Sequence, residues 1–191
     1  MIIVEVIQIL QNNTKYINNM SYALFITRND IIKNSPLQGA IDADRLLPFV
    51  RTAQDKYMLN LLGTVLFYYL QAHIEAGTVS TLNVYYQDLI NDHIKPTLIW
   101  YSCVEYVPFS SVQFKSEGAV KHQSEQSTSP GKNEIDYLLQ KCLNSADFYA
   151  TRLQNYLVSY SNQIPQYLES VGNLTQVYPD FTNQYFGGIQ L

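Results

Sequence analysis

Charge is scarce in this sequence, and cysteine, histidine and tryptophan are scarcer still. Lys, Arg, Asp and Glu together make up 15% of the 191 residues, against roughly 25% in ordinary globular domains. Acidic residues outnumber basic ones by 16 to 12, for a net charge of −4. A protein that grips nucleic acid through its phosphates needs a basic stripe, and this balance argues against one. The two cysteines, Cys103 and Cys142, are too few for a disulfide framework and read as small buried thiols of a reducing compartment. The three histidines, His73, His93 and His122, fall on separate predicted elements with no HExxH or CxxC spacing, so neither a metal nor another cofactor is expected. No run of about 18 apolar residues is present to cross a membrane. The N-terminal IIVEVIQIL is apolar, but Glu5 interrupts it and no basic stretch precedes it. That makes it a poor signal peptide and a better edge strand or assembly arm.

Catalytic patterns are missing as well. There is no GxSxG, no Cys–His–Asn arrangement and no Gly-rich dinucleotide loop. Gly131-Lys132 matches the end of a phosphate-binding loop, yet the upstream Gly and the downstream Ser/Thr are absent. Asp88 and Asp92 share a helix face beside His93; a solvated face explains them better than an acid–base cluster. Asn12-Asn13-Thr14 and Asn173-Leu174-Thr175 match the glycosylation pattern by chance in a chain with no export signal. The expectation is a protein that is not an enzyme.

What the chain does have is apolar area and tyrosine: 47% hydrophobic residues and sixteen tyrosines. At this length one domain is expected, with enough chain for a proper core. Tyrosine joins an apolar ring to a polar tip, so it suits a core and equally a surface that is wet at first and buried later. Periodicity is mostly helical. Residues 22–27 read as a short strand, and Asn29 or Asp30 as the cap of a helical turn. In 42–64 the candidate caps Asp42 and Asp44 open a stripe of Leu46, Val50, Ala53, Tyr57 and Leu61, with Pro48 in or just after the first turn. Gly63 is placed to end that helix in the left-handed conformation, and Thr64 to cap a second helix ending at Gly77. A third helix, capped by Ser80 or Thr81, carries Leu82, Tyr86, Leu89 and His93; Pro96 kinks or restarts the chain and Pro108 stops the fourth. Val112 and Phe114 alternate with polar residues, Glu117-Gly118 is a turn, and Val120 and His122 lie on the return, predicting a β-hairpin over 112–122. The polar stretch 123–132 reads as a flexible loop. Ile135, Leu139, Cys142, Ala146, Tyr149, Leu153, Tyr156 and Tyr160 then form an unbroken heptad seam, widened by Leu138, Leu143, Ala150 and Leu157. A widened stripe points to a bundle helix, roughly 40 Å long at 1.5 Å per residue. Pro165 opens a last short helix that Gly172 closes.

The sequence LLPFVRTAQDKYMLNLLGTVLFYYL, with its polar RTAQDKY centre and terminal LLGT, resembles the head-to-tail connector proteins of tailed bacteriophages. It is most similar to those of crAss-like phages of Bacteroidetes. Further matching features are the Ile94-Lys95-Pro96 break before a Tyr-rich helix, the hairpin around Glu117-Gly118, and the YPDF tail from Tyr178 to Phe181. The first twenty residues have no counterpart there and read as an extension or arm. The fold expected is mainly α: a helical bundle of four to five helices over 21–172 with a small inserted β-hairpin, followed by an extended C-terminal docking tail, 173–191.

The resemblance implies a structural virion protein: a homo-oligomeric ring, typically a dodecamer, docked under the portal protein. Such a ring extends the DNA channel and offers a platform for the next neck or tail ring protein. Genomic DNA passes through without specific binding, and no membrane is involved. The chain would reside in the virion neck, and in host cytoplasm during assembly. Another virion ring, such as a tail terminator, and a small enzyme with an intersubunit site are the rival readings. Candidate interface residues are Tyr178, Phe181, Tyr185, Phe186 and Ile189 in the tail, Phe114 and Val120 in the hairpin, and Arg45 and Arg51 as intersubunit ion-pair partners. The tail has no helical or alternating period of its own, so its large anchors need another surface to cover them.

Overall fold

The structure, a computed structural model, describes residues 22–37, 43–110, 112–115, 118–121, 131–168 and 177–179. It is mainly helical. Helix α1 is Arg28–Asn34, α2 Ala43–Ala53, α3 Leu59–Glu75, α4 Val84–Asp88, α5 Lys95–Tyr106 and α6 Lys132–Ser159. Between α5 and α6, β1 (Val112–Lys115) pairs antiparallel with β2 (Gly118–Lys121), Val112 opposite Lys121. The side chains of Phe114 and Val120, together with His122 and the loop 123–130, lie outside the described residues.

Helix α5 occupies the middle, packed on both α6 and α2. Its Leu98, Ile99 and Cys103 join Met58, Leu62, Leu66 and Leu70 of the α2–α3 arm and Leu153 and Leu157 of α6 in one buried cluster. Two wide π turns shape this core. Gln54–Met58 joins α2 to α3, and Leu89–Ile94 joins α4 to α5. In each, the residue after the turn bonds five residues back: the Leu59 N–H donates to the Gln54 carbonyl and the Lys95 N–H to the Ile90 carbonyl. Pro96, which offers no N–H to the carbonyl four residues before it, stands just after the second turn. The chain therefore does not restart at Pro96; it continues through a widened turn. The first π turn inserts one residue into the stripe. Leu46, Val50, Ala53 and Leu61 are buried as the periodicity predicts, but Met58, Leu62, Leu66 and Leu70 join them past the turn and Tyr57 is left half-buried.

The segment 22–27 is not a strand. Two buried glutamine side chains bind its backbone instead. Gln54 accepts from the Phe25 N–H (2.9 Å) and donates to the Ala23 carbonyl (3.0 Å), and Gln71 donates to the same carbonyl (3.0 Å). Thr27, not Asn29 or Asp30, caps α1. Its hydroxyl accepts from the Asp30 N–H while the Asp30 carboxylate accepts from the Thr27 N–H, a reciprocal capping box. Asn83, not Ser80 or Thr81, caps α4. Helix α3 ends as expected at Gly77 (φ +66°), with the Thr78 N–H on the His73 carbonyl and the Gly77 N–H on that of Ile74, a Schellman closure. Helix α6, 28 residues, buries Cys142, Ala146, Ala150, Leu153 and Leu157. Leu138, expected to widen the seam, is exposed. Pro165 opens a 3-10 turn, Pro165–Tyr167, and Gly172 lies outside the described residues.

Candidate functional site

Gly63 takes a positive φ and breaks the helix as expected, so that two helical segments of α3 meet across a kink there. At φ +72° and ψ 160° it is extended, and the helical ladder resumes at once on the far side. A break of this kind leaves backbone groups without helical partners. Here the C-terminal segment supplies them. The Thr64 N–H donates to the Val177 carbonyl (3.0 Å), and the Val177 N–H donates to Thr64 Oγ1 (2.9 Å). Pro179 closes the contact: a Cβ on Gly63 would stand 2.7 Å from its Cδ and 2.8 Å from its Cγ. Gly63 is thus required twice, by its backbone conformation and by the ring lying against it. Residues 177–179 form a clasp in a notch near the N-terminal end of α3.

This finding bears directly on the tail. Val177 and Pro179 rest on the chain's own bundle, whereas Tyr178 between them is 59% exposed. Phe181, Tyr185, Phe186 and Ile189 lie outside the described residues. Arg45 and Arg51 both have contacts within the chain. Arg45 Nη2 donates to the Phe109 carbonyl (3.2 Å), tying α2 to the end of α5, and the Arg51 guanidinium lies 4.3 Å from the centre of the Tyr22 ring.

A second constellation surrounds the first π turn. Tyr57 stacks on Tyr101 at 3.9 Å between ring centroids, nearly parallel. Glu105 accepts from both the Tyr57 hydroxyl (2.7 Å) and Lys56 Nζ (2.9 Å), and the Tyr101 hydroxyl reaches Asp147 at 3.3 Å. Lys56, Tyr57, Tyr101 and Asp147, with Asn60, Leu61, Ala150 and Gln154, line a cleft of about 160 Å³. Its electrostatics are those of a clamp. Burial and the neighbouring carboxylates push both tyrosines above the ordinary phenol value, and hydrogen bonds to Tyr57 and Glu105 raise Lys56 to about 12. Neither tyrosine nor Lys56 is thereby poised as a base or nucleophile near neutral pH.

His93 projects from the second π turn against Tyr156, with ring centroids 4.2 Å apart. Its buried Nδ1 has no hydrogen-bond partner among the described residues. Burial holds its pKa below the ordinary histidine value, so it is neutral at pH 7. Cys103 and Cys142 are buried and unbridged, and burial pushes the Cys103 thiol up to about 12, which makes it inert. No group of metal-ligating side chains occurs among the described residues, and none of the described helices is long and apolar enough to cross a membrane.

The remaining unusual surface is the outer face of α6. Tyr137 (62% exposed) and Phe148 (59%) lie along it, opposite the stripe that packs on α5, and Leu138 (49%) lies on its flank. Lys141 lies 5.4 Å from the Tyr137 ring and Arg152 5.9 Å from that of Phe148, so cations flank the aromatics. The periodicity of α6 made it a bundle helix but gave no sign that its first ten residues stand largely clear of the bundle. The clasp at Gly63 was missed as well, because its partners lie more than a hundred residues apart in sequence.

Residues 58–176 match the model of a family of unknown function, DUF6712. The match covers more than half of the chain, from the first π turn through α6, and the chain belongs to this family. No curated protein and no solved structure matches it.

Proposed function

We propose that this member of the DUF6712 family is a structural assembly subunit that builds a head-to-tail connector ring beneath the portal of a tailed bacteriophage. The observation that carries the reading is the outer face of α6. Three large apolar side chains stand 49–62% exposed on one helix of a chain short of charge. Each such side chain contributes roughly 1.5–3 kcal/mol when fully covered. Large apolar side chains left this exposed along one helix suit a surface that is covered on assembly. The occupant is a neighbouring copy, since a ring closes through heterologous contacts repeated between identical subunits. The clamp of Tyr57, Tyr101 and Glu105 serves to hold the bundle rigid behind that face. The hairpin 112–122 and the tail 173–191 are the further contact elements, toward the portal and the next neck protein. The acidic balance suits a channel that DNA crosses without adhering.

Negative-stain electron microscopy and mass photometry of the purified chain test the reading. Closed rings with a central channel are expected, and Phe148→Asp should disperse them into folded monomers. A chain that remains monomeric at every concentration, alone and with portal protein, overturns it.

A further inference from the structure

We infer that the notch at Gly63–Thr64 is a receptor for an extended Val-x-Pro segment, and that in the assembled protein its occupant is Val177–Pro179 of a second copy. The inference rests on the ring reading and names the contact that links one subunit to the next. The notch is built for a peptide. It presents one backbone donor, the Thr64 N–H, one side-chain acceptor, Thr64 Oγ1, and a glycine surface shaped to a proline ring. An extended segment that fills such a break supplies main-chain hydrogen bonds for affinity and a side-chain pocket for specificity.

Nothing in the clasp depends on the occupant belonging to the same chain. The contacts are a carbonyl, an N–H and a ring, and the same segment of a neighbour reproduces all of them, so exchange gives up no contact. The reach is sufficient. Residues 169–176 join Leu168 to Val177, and eight residues span up to roughly 30 Å when extended. That exceeds the length of α3 itself, 17 residues or about 26 Å. Exchange of an identical element between copies is a low-cost route to association. Passing a segment from each subunit to the notch of the next is a heterologous contact, the kind that a ring requires. Tyr178 then bridges the two copies, and its exposure in the single chain is what an unmet contact would leave.

Tyr178 replaced by the photoreactive benzoylphenylalanine tests this in the full-length protein. After irradiation of the assembled fraction, products are separated by denaturing electrophoresis and digested for mass spectrometry. Covalent dimers and higher species in which position 178 is joined to an α3 peptide are expected. Pro179→Ala in the same background should cut their yield several-fold while leaving the helical circular dichroism unchanged. Assembled protein whose 178–α3 cross-links occur only at monomer mass overturns the exchange and leaves the ring reading standing. Dimers joined through a surface other than α3 overturn it equally. A protein that never assembles overturns both.

Discussion

Replacing Gly63 by alanine tests the energetics of the helix break. The backbone there, φ +72° and ψ 160°, lies in a region that costs a residue with a Cβ about 1–3 kcal/mol. The new Cβ also meets Pro179 at 2.7 Å, closer than a real carbon contact permits, so the clasp must shift. Losing it removes the two hydrogen bonds between Thr64 and Val177, each with a net contribution of about 0.5–1.5 kcal/mol. Gly63→Ala should therefore destabilise the fold by about 2–6 kcal/mol in urea titrations followed by circular dichroism. Pro179→Ala removes the ring but not the glycine, and should cost less than about 1 kcal/mol on the contact argument. In the double variant the steric part disappears while the backbone part remains, so the two changes should couple by about 1 kcal/mol. A neutral or stabilising Gly63→Ala would refute the reasoning. It would mean that α3 straightens into an ordinary helix, where alanine gains about 1 kcal/mol over glycine, and that the clasp contributes nothing to stability.

Gln54→Ala should cost about 2–4 kcal/mol, because it strands the buried Phe25 N–H and one bond to Ala23; hydrogen exchange at Phe25 should rise with it, and an unchanged rate would count against the glutamine anchor. His93 gives a pH dependence whose sign follows from burial. Its folded pKa lies below the unfolded value of 6.5, so the unfolded chain takes up the proton first and stability falls as pH drops through about 6.5 and below. Arg152 adds to this depression and Asp92 and Asp88 oppose it; His93→Gln should flatten the urea midpoint between pH 5 and 7, and an unaltered slope would remove His93 as the cause. Lys56→Met should change stability by less than about 1 kcal/mol, since the ammonium end of the pair is solvated. Tyr57→Ala, which breaks both the stack on Tyr101 and the bond to Glu105, should cost about 2–4 kcal/mol; equal effects of the two variants in thermal melts would contradict the clamp.

The helices were legible because burial follows period. Leu46, Val50 and Ala53 at helical spacing, and Cys142, Ala146, Leu153 and Leu157 on the α6 seam, are all buried. Chain terminators were legible where a single residue decides the backbone, as Gly77 does at the end of α3. The π turns were not, since an inserted residue resembles a drifting stripe, and only tertiary packing tells Tyr57 from Met58. Residues 22–27 were misread as a strand for a related reason. Their apolar pattern is real, with Phe25 and Ile26 buried, but the partners of their backbone are the amides of Gln54 and Gln71 rather than another strand.

The clasp shows where a reading from local pattern must stop. Gly63, followed by Thr64, carries the ordinary signature of one helix ending and another beginning, and its positive φ agrees with that signature. What changes its meaning is a segment 113 residues away, Val177, whose N–H finds Thr64 Oγ1. With that partner in place, the glycine need not turn the chain back. It can stay extended for one residue, lend its neighbour's N–H to the incoming carbonyl, and let a second helical segment start at Thr64 across a kink. A free helix end would have left such groups to water or to a cap. The tail had seemed to need a foreign surface because it has no period of its own. At its first three described residues that surface is a notch made by one glycine. Whether the notch is filled from the same chain or from the next is a matter of connection rather than of contact, and the cross-link at position 178 separates the two.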